Sequence, residues 1–296
     1  MKMILLSGSV IMDKRTIAAS MSACLLLALS ACMQESSTET ASAAKPAEQA
    51  KTLRIAAAAN LSDVLPTIID DYKADKSGPA QNIEVTYASS GKLYAQIKAG
   101  APYDLFLSAN QDFPAKLAAE TATKNTDKDN VTHSPTHSPF TYAQGQLALY
   151  SVTKPLNALN PAVLTDSLLN DSNSKVTIAN PELAPYGASA KAYLQSQNIY
   201  DDLIQQKRLI QAENIGQAFQ YAHTGNVDYG LVAQSQIVAI NAKPEQFITL
   251  APASYPAILQ DGIVISDQTS ATEFADYLRS KAGKQHFIKA GYLTVQ

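Results

Sequence analysis

Leu53-Arg54-Ile55-Ala56-Ala57-Ala58-Ala59-Asn60-Leu61 is the passage on which the fold turns. Its first five residues read as a buried strand. Beyond Asn60, the residues Val64, Leu65, Ile68, Ile69 and Tyr72 recur at helical spacing. The same change of period repeats outward along the chain. Ile83, Val85 and Tyr87 alternate as a strand, and Ser89-Ser90-Gly91 then opens a helix carrying Leu93, Ile97 and Ala99. Residues 104–108 predict a short strand and 111–120 a helix. Further strands are expected at 146–151, 175–179, 208–211, 229–233 and 258–266. Helices should follow Pro185-Tyr186-Gly187 and Ile215-Gly216, and one amphipathic helix over 271–290 should close the chain. Strands regularly separated by helices predict an α/β architecture with mostly parallel sheets. Residues 121–139, rich in Thr, Asn, Asp, Lys, Ser and Pro, read as a surface insertion after a helix.

Ahead of this body stands a sorting signal. Lys14-Arg15 precede an apolar stretch over 16–31 that ends in Leu29-Ser30-Ala31-Cys32, the pattern of bacterial lipoprotein signals at their cleavage site. The stretch is short for a membrane span. Residues 1–31 are therefore expected to be a lipoprotein signal peptide, with Met12 able to serve as its start and Cys32 as the lipidated residue. An ordinary secretory signal with an incidental Cys is the plainer alternative. Residues 32–51 are small, polar and without periodicity, and are expected to form a flexible tether. Cleavage would remove Lys2, Lys14 and Arg15 against Asp13, a net +2, taking the formal charge from −3 to −5. Cys24 would leave with the signal, so no thiol would remain for a disulfide, a metal or a nucleophile.

The chain has 296 residues, 46% of them apolar and 17% charged, which is enough to bury a sizeable core and excludes a wholly disordered protein. A pI near 5.8 and no basic run beyond Asp13-Lys14-Arg15 argue against nucleic acid as the main partner.

Chemistry is concentrated where strands give way to helices. Four such junctions end in small or neutral polar groups: Asn60, Ser89-Ser90-Gly91, Pro185-Tyr186-Gly187 and Asn214-Ile215-Gly216. Ligands of open α/β sheets bind beyond the carboxyl ends of strands, where helices begin. Each helix start offers free N–H groups and a partial positive charge, which together suit an anion. Taken singly, each junction is better read as an ordinary cap or turn. Taken together, the four point to an anion site without naming the anion.

At these junctions the chain resembles the periplasmic molybdate-binding proteins of ABC importers. The resemblance runs from Leu53 to Tyr292. It rests on Ile55-Ala56-Ala57-Ala58-Ala59-Asn60-Leu61, on Ala88-Ser89-Ser90-Gly91-Lys92-Leu93-Tyr94-Ala95-Gln96-Ile97, and on Gly100-Ala101-Pro102-Tyr103-Asp104-Leu105-Phe106-Leu107-Ser108-Ala109. It continues in Asn180-Pro181, Pro185-Tyr186-Gly187, Glu213-Asn214-Ile215-Gly216-Gln217-Ala218 and Gly230-Leu231-Val232-Ala233.

The resemblance implies a type II periplasmic binding fold of two α/β lobes on a two-strand hinge, with residues 52–143 and 258–296 in one lobe and 144–257 in the other. It implies no enzymatic activity and no cofactor, but a tetrahedral oxyanion, molybdate or tungstate, as ligand. Asn60 and Ser90 would give side-chain and backbone donors from one lobe, with Ala59 and Ser89 beside them. Tyr186 and Ile215 would give backbone N–H groups from the other. The partner implied is a molybdate ABC permease in the membrane, and the protein would be a periplasmic monomer. With Met33 after the Cys, its lipid would lie in the outer membrane of a Gram-negative cell. Many relatives have Ser where this chain has Asn60, and Tyr where it has Ala233; these departures leave the number of donors open.

Other residues carry weaker signals. Lys92 should point away from the anion, and Asp63 and Glu213 read as helix-start caps. Sulfate is the alternative anion. Ser89-Ser90-Gly91-Lys92 fits the Ser-x-x-Lys motif of penicillin-recognising enzymes, but their Ser-Asp-Asn and Lys-Thr-Gly elements are missing downstream. His133 and His137 have His-x-x-x-His spacing within a Pro/Ser/Thr stretch that lacks further ligands, so a surface loop is the better reading.

Overall fold

The computed structural model describes residues 51–75, 82–125, 138–156, 168 and 172–295. The expected signal peptide, Cys32 and nearly all of the tether lie outside the described residues, as does the middle of the 121–139 insertion with His133 and His137.

β1 (Leu53–Ala58) buries every residue but Arg54, and a 3-10 turn at Ala59–Leu61 leads to α1 (Leu65–Asp75). Leu65, Ile68, Ile69 and Tyr72 form the buried face of α1, at the spacing that marked it as a helix. β2 (Ile83–Ala88), α2 (Ser90–Lys98), β3 (Leu105–Leu107), α3 (Asp112–Asn125) and β4 (Phe140–Gly145) follow. The chain then continues through β5 (Leu147–Tyr150), β6 (Val176–Ala179), α4 (Pro185–Ser196), α5 (Tyr200–Gln205) and β7 (Leu209–Ala212). It goes on with α6 (Ile215–His223), β8 (Tyr229–Ala233), α7 (Gln234–Ala239) and β9 (Phe247–Thr249). β10 (Ile258–Val264), α8 (Thr269–Arg279) and α9 (Lys281–Lys289) complete it.

The strands form two five-stranded sheets, ordered β2-β1-β3-β10-β4 and β7-β6-β8-β5-β9. The sheets are mixed rather than mostly parallel. β1 pairs parallel with β2 and β3, and β6 with β7 and β8, as strand-helix-strand units require. β10 runs antiparallel to β3 and β4, and β5 antiparallel to β8 and β9. The reversal arises where the chain changes sheets, once between β4 and β5 at Gln146 and once between β9 and β10. A strand arriving directly from the other sheet needs no helical crossover and enters antiparallel.

Each sheet has its own core. Ile55, Leu65, Ile68, Leu105 and Phe274 gather on the first, where Tyr72 meets Phe274 edge-on at 5.0 Å between ring centres. Leu149, Ile178, Ala190, Tyr193 and Leu231 gather on the second. The single closing helix expected over 271–290 is two helices. Ser280, at ψ 168°, ends α8, and its side chain accepts from the Gly283 N–H to cap α9. The expected insertion begins late: α3 runs on to Asn125, and Phe140 already belongs to β4.

Candidate oxyanion cleft

The four junctions meet. Ala58, Ala59 and Asn60 at the end of β1, Ala88, Ser89 and Ser90 at the start of α2, and Ala109 after β3 approach from the first sheet. Ala184, Pro185 and Tyr186 at the start of α4 and Asn214 and Ile215 at the start of α6 approach from the second. Between them lies a small cleft. All six residues singled out from the sequence (Asn60, Ser90, Tyr186, Ile215, Ala59 and Ser89) line it.

The lining holds no Asp, Glu, Lys, Arg or His. Its positive character comes from helix starts: the N–H groups of Ser90, Tyr186 and Ile215 stand in first turns, where the helix supplies no acceptor. Gly187 lets α4 begin hard against the end of β6, since a Cβ there would fall 2.2 Å from the Ala179 carbonyl oxygen. Ser90 Oγ accepts from the Ala109 N–H at 2.9 Å, so its own proton is left to donate elsewhere. Ser89 is 3% exposed, and its Oγ has no partner among the described residues. A buried hydroxyl without a partner costs free energy unless a ligand supplies one.

The Asn60 amide is held from behind the cleft. Its Nδ2, expected as a donor to the ligand, donates to Gln260 Oε1 at 3.0 Å and to the Tyr292 hydroxyl at 2.9 Å. The atom left without a partner is Oδ1. The Tyr186 hydroxyl lies behind the cleft, where it accepts from Gln260 Nε2 at 3.1 Å. That hydroxyl also lies where a Cβ on Gly145 would be, 2.1 Å away. Burial raises the Tyr142 and Tyr186 hydroxyls well above the ordinary tyrosine value, and raises Tyr292 to about 12.

The expected caps are also reassigned. Asn214 caps α6, its Oδ1 accepting from the Gln217 N–H at 3.0 Å, and Gln217 Oε1 accepts in return from the Glu213 N–H. The Glu213 carboxylate pairs with Lys92 Nζ across the mouth of the cleft. Asp63 makes no cap bond. It lines a different cavity with Thr67, His286 and Lys289, and partial burial raises its carboxyl above the usual range. Lys92 does not line the cleft; its ammonium is engaged by Glu213 at the mouth. A further tie across the mouth runs from the Gly91 N–H to the Leu183 carbonyl at 2.9 Å.

The sequence reading missed the polar cluster behind the cleft. Gln260, fully buried in β10, accepts from Asn60 and Tyr142 and donates to Tyr186. The signal available was a lone amide in the otherwise apolar run Ile258-Leu259-Gln260.

Two α/β lobes joined by two crossings, with helix starts from both lobes facing one neutral cleft, are the architecture of a two-lobed solute-binding protein. The chain belongs to the family of bacterial extracellular solute-binding proteins, whose pattern matches residues 53–293. It is 33% identical over 218 residues to the molybdate-binding protein ModA of Rhodobacter capsulatus, covering 71% of this chain and 77% of the relative. It is 28% identical over 253 residues to the ModA of Azotobacter vinelandii, covering 83% and 91%. The solved structure of the Azotobacter vinelandii periplasmic molybdate-binding protein superimposes with a TM-score of 0.70 over 82% of this chain and 100% of that one, at 28% identity.

Proposed function

We propose that the protein captures molybdate, and tungstate with it, between its two lobes and hands the anion to an ABC permease. The observation that carries this reading is the convergence of four helix-start junctions on a small cleft lined by neutral groups, with the Ser89 hydroxyl buried and unpartnered. A dianion can be desolvated there because each oxygen receives hydrogen bonds, worth about 1.5–3 kcal/mol each to a charged acceptor. Helix dipoles supply the field that cations would otherwise provide. The names of the relatives support the choice of molybdate. Ala233 brings no hydroxyl to the site; its N–H donates to Gln236 Oε1 at 3.0 Å, so Ser89 and Ser90 carry more of the side-chain donation here. Lipid at Cys32 would hold the domain on a membrane outside the cytoplasm as a monomer.

Phosphate should be rejected. At neutral pH it keeps a proton, and no carboxylate lines the cleft to accept it. Asn60 Oδ1 or the Ser89 hydroxyl would have to accept it, turning a group needed as a donor to the anion into an acceptor, at a cost of about 1–3 kcal/mol. Sulfate has no proton but is smaller than the anions proposed here. The test is a thermal-shift and competition series on residues 53–296. Molybdate or tungstate at about a hundred times its dissociation constant should add about 2.7 kcal/mol of stability. Excess phosphate should fail to displace molybdate and sulfate should compete weakly. Stabilisation by sulfate alone would transfer the assignment to sulfate, and no shift with any oxyanion would end the reading.

A further inference from the structure

Behind the cleft, five buried groups form one hydrogen-bonded cluster around Gln260. Asn60 Nδ2 faces Gln260 Oε1 at 3.0 Å and the Tyr292 hydroxyl at 2.9 Å, and the Tyr292 hydroxyl donates to the Asn60 carbonyl at 2.9 Å. Gln260 Nε2 donates to the Tyr186 hydroxyl at 3.1 Å. The single Tyr142 proton faces two acceptors, the Ser108 carbonyl at 2.8 Å and Gln260 Oε1 at 3.0 Å. Gln260 thus touches the one amide that lines the cleft and, on its other side, the residue that opens α4.

We propose that Gln260 is a specificity-determining positioning residue: it sets which end of the Asn60 amide faces the ligand, and so whether the cleft takes a fully deprotonated oxyanion or a protonated one. The inference rests on the oxyanion reading above and deepens it. An anion whose oxygens all accept needs Nδ2 of Asn60, whereas the atom now without a partner is Oδ1. Turning the amide over puts Oδ1 on the side of Gln260 and Tyr292, where it requires donors. Gln260 can supply one only by turning over as well. Its Nε2 then donates to Asn60 Oδ1 and to the Tyr142 hydroxyl, and its Oε1 accepts from Tyr186. Tyr142 keeps Ser108 as its single acceptor, and the Tyr292 proton moves to Oδ1. The Asn60 carbonyl gives up the Tyr292 proton and keeps the Ser235 hydroxyl at 3.4 Å, so the number of hydrogen bonds within the cluster is unchanged, and Asn60 gains a donor directed at the ligand. A glutamine permits both orientations because an amide has a donor and an acceptor end. An ionised glutamate in its place accepts only, and would hold Asn60 with Nδ2 inward and Oδ1 toward the cleft. That arrangement suits an anion carrying a proton.

The experiment compares wild type with Gln260→Glu at about pH 10, above the roughly 8–9 reached by buried glutamates, where phosphate is still a singly protonated dianion. The quantity read is the ratio of molybdate to phosphate affinity, because added charge or general damage weakens both dianions alike. The expected result is a ratio lower by about tenfold or more in the variant, the loss of one charge-directed hydrogen bond. In wild type, the ¹⁵N side-chain resonances of Asn60 and Gln260 should both shift on addition of molybdate, a measurement that stands even if the variant fails to fold. An unchanged ratio, or a Gln260 resonance unmoved by molybdate, overturns the inference while leaving the oxyanion reading intact. A wild type that binds neither anion overturns both.

Discussion

Two adjacent serines at the start of α2 have different structural attachments. Ser90 Oγ accepts the Ala109 N–H, whereas Ser89 Oγ has no partner among the described residues. Ser90→Ala should therefore cost both stability and affinity, about 1–3 kcal/mol of the former for an unpaired buried N–H. Ser89→Ala should leave the unliganded melting temperature unchanged or slightly higher, while weakening molybdate by about 1.5–3 kcal/mol. Melting curves with and without ligand, alongside calorimetric titration, separate the two. A Ser89→Ala protein that melts lower but binds normally would mean that the hydroxyl serves the fold. At this scale the sequence was informative about residue type but silent about direction. Asn60 stood out as a junction residue, yet the groups that hold its amide, Gln260 and Tyr292, are 200 and 232 residues away. No local pattern reports such a pairing.

Among elements, the helix starts were the legible part. A switch from period 2 to period 3.6 across a Ser, Asn or Gly is a local event, so β1, α2, α4 and α6 appear where the residues place them. β4 escaped detection because Phe140-Thr-Tyr-Ala-Gln-Gly145 mixes buried and half-buried positions without alternation. The break at Ser280 escaped because the apolar spacing of α8 continues into α9, and only the cap shows the interruption. β4 also ends on a residue that cannot be enlarged. Gly145→Ala would drive a methyl into the Tyr186 hydroxyl and Gln260 Nε2, 2.1 and 2.8 Å from the added Cβ. Tyr186 is held by α4 and cannot retreat, so the substitution should cost about 1–3 kcal/mol and loosen the start of that helix. Urea unfolding with molybdate titration checks it; a variant equal to wild type in both would show that the crossing yields easily.

At the scale of the molecule, the two lobes meet at the mouth of the cleft through the Lys92–Glu213 pair and the Gly91–Leu183 hydrogen bond. Both partners of the ion pair are about half exposed, at 49% and 45%, so the pair contributes at most about 1 kcal/mol and is screened by salt. Its effect should fall on release. Lys92→Met is expected to speed molybdate dissociation up to about fivefold and to remove the salt dependence of that rate, with little effect on association. Stopped-flow dissociation at low and high salt measures it, and identical rates in variant and wild type would show that the pair does not restrain opening.

The crossings have a consequence of another kind. The strand that joins β3 to β4 in the first sheet is β10, which arrives only at Ile258, after every strand of the second sheet has been made. A chain emerging from its amino end therefore holds β1, β2 and β3 early but cannot complete the sheet they belong to. Its first half remains unfinished until synthesis is nearly over. For a member of an extracellular family, that late completion is an advantage, because a polypeptide that has to be threaded through a membrane must not become a finished domain beforehand.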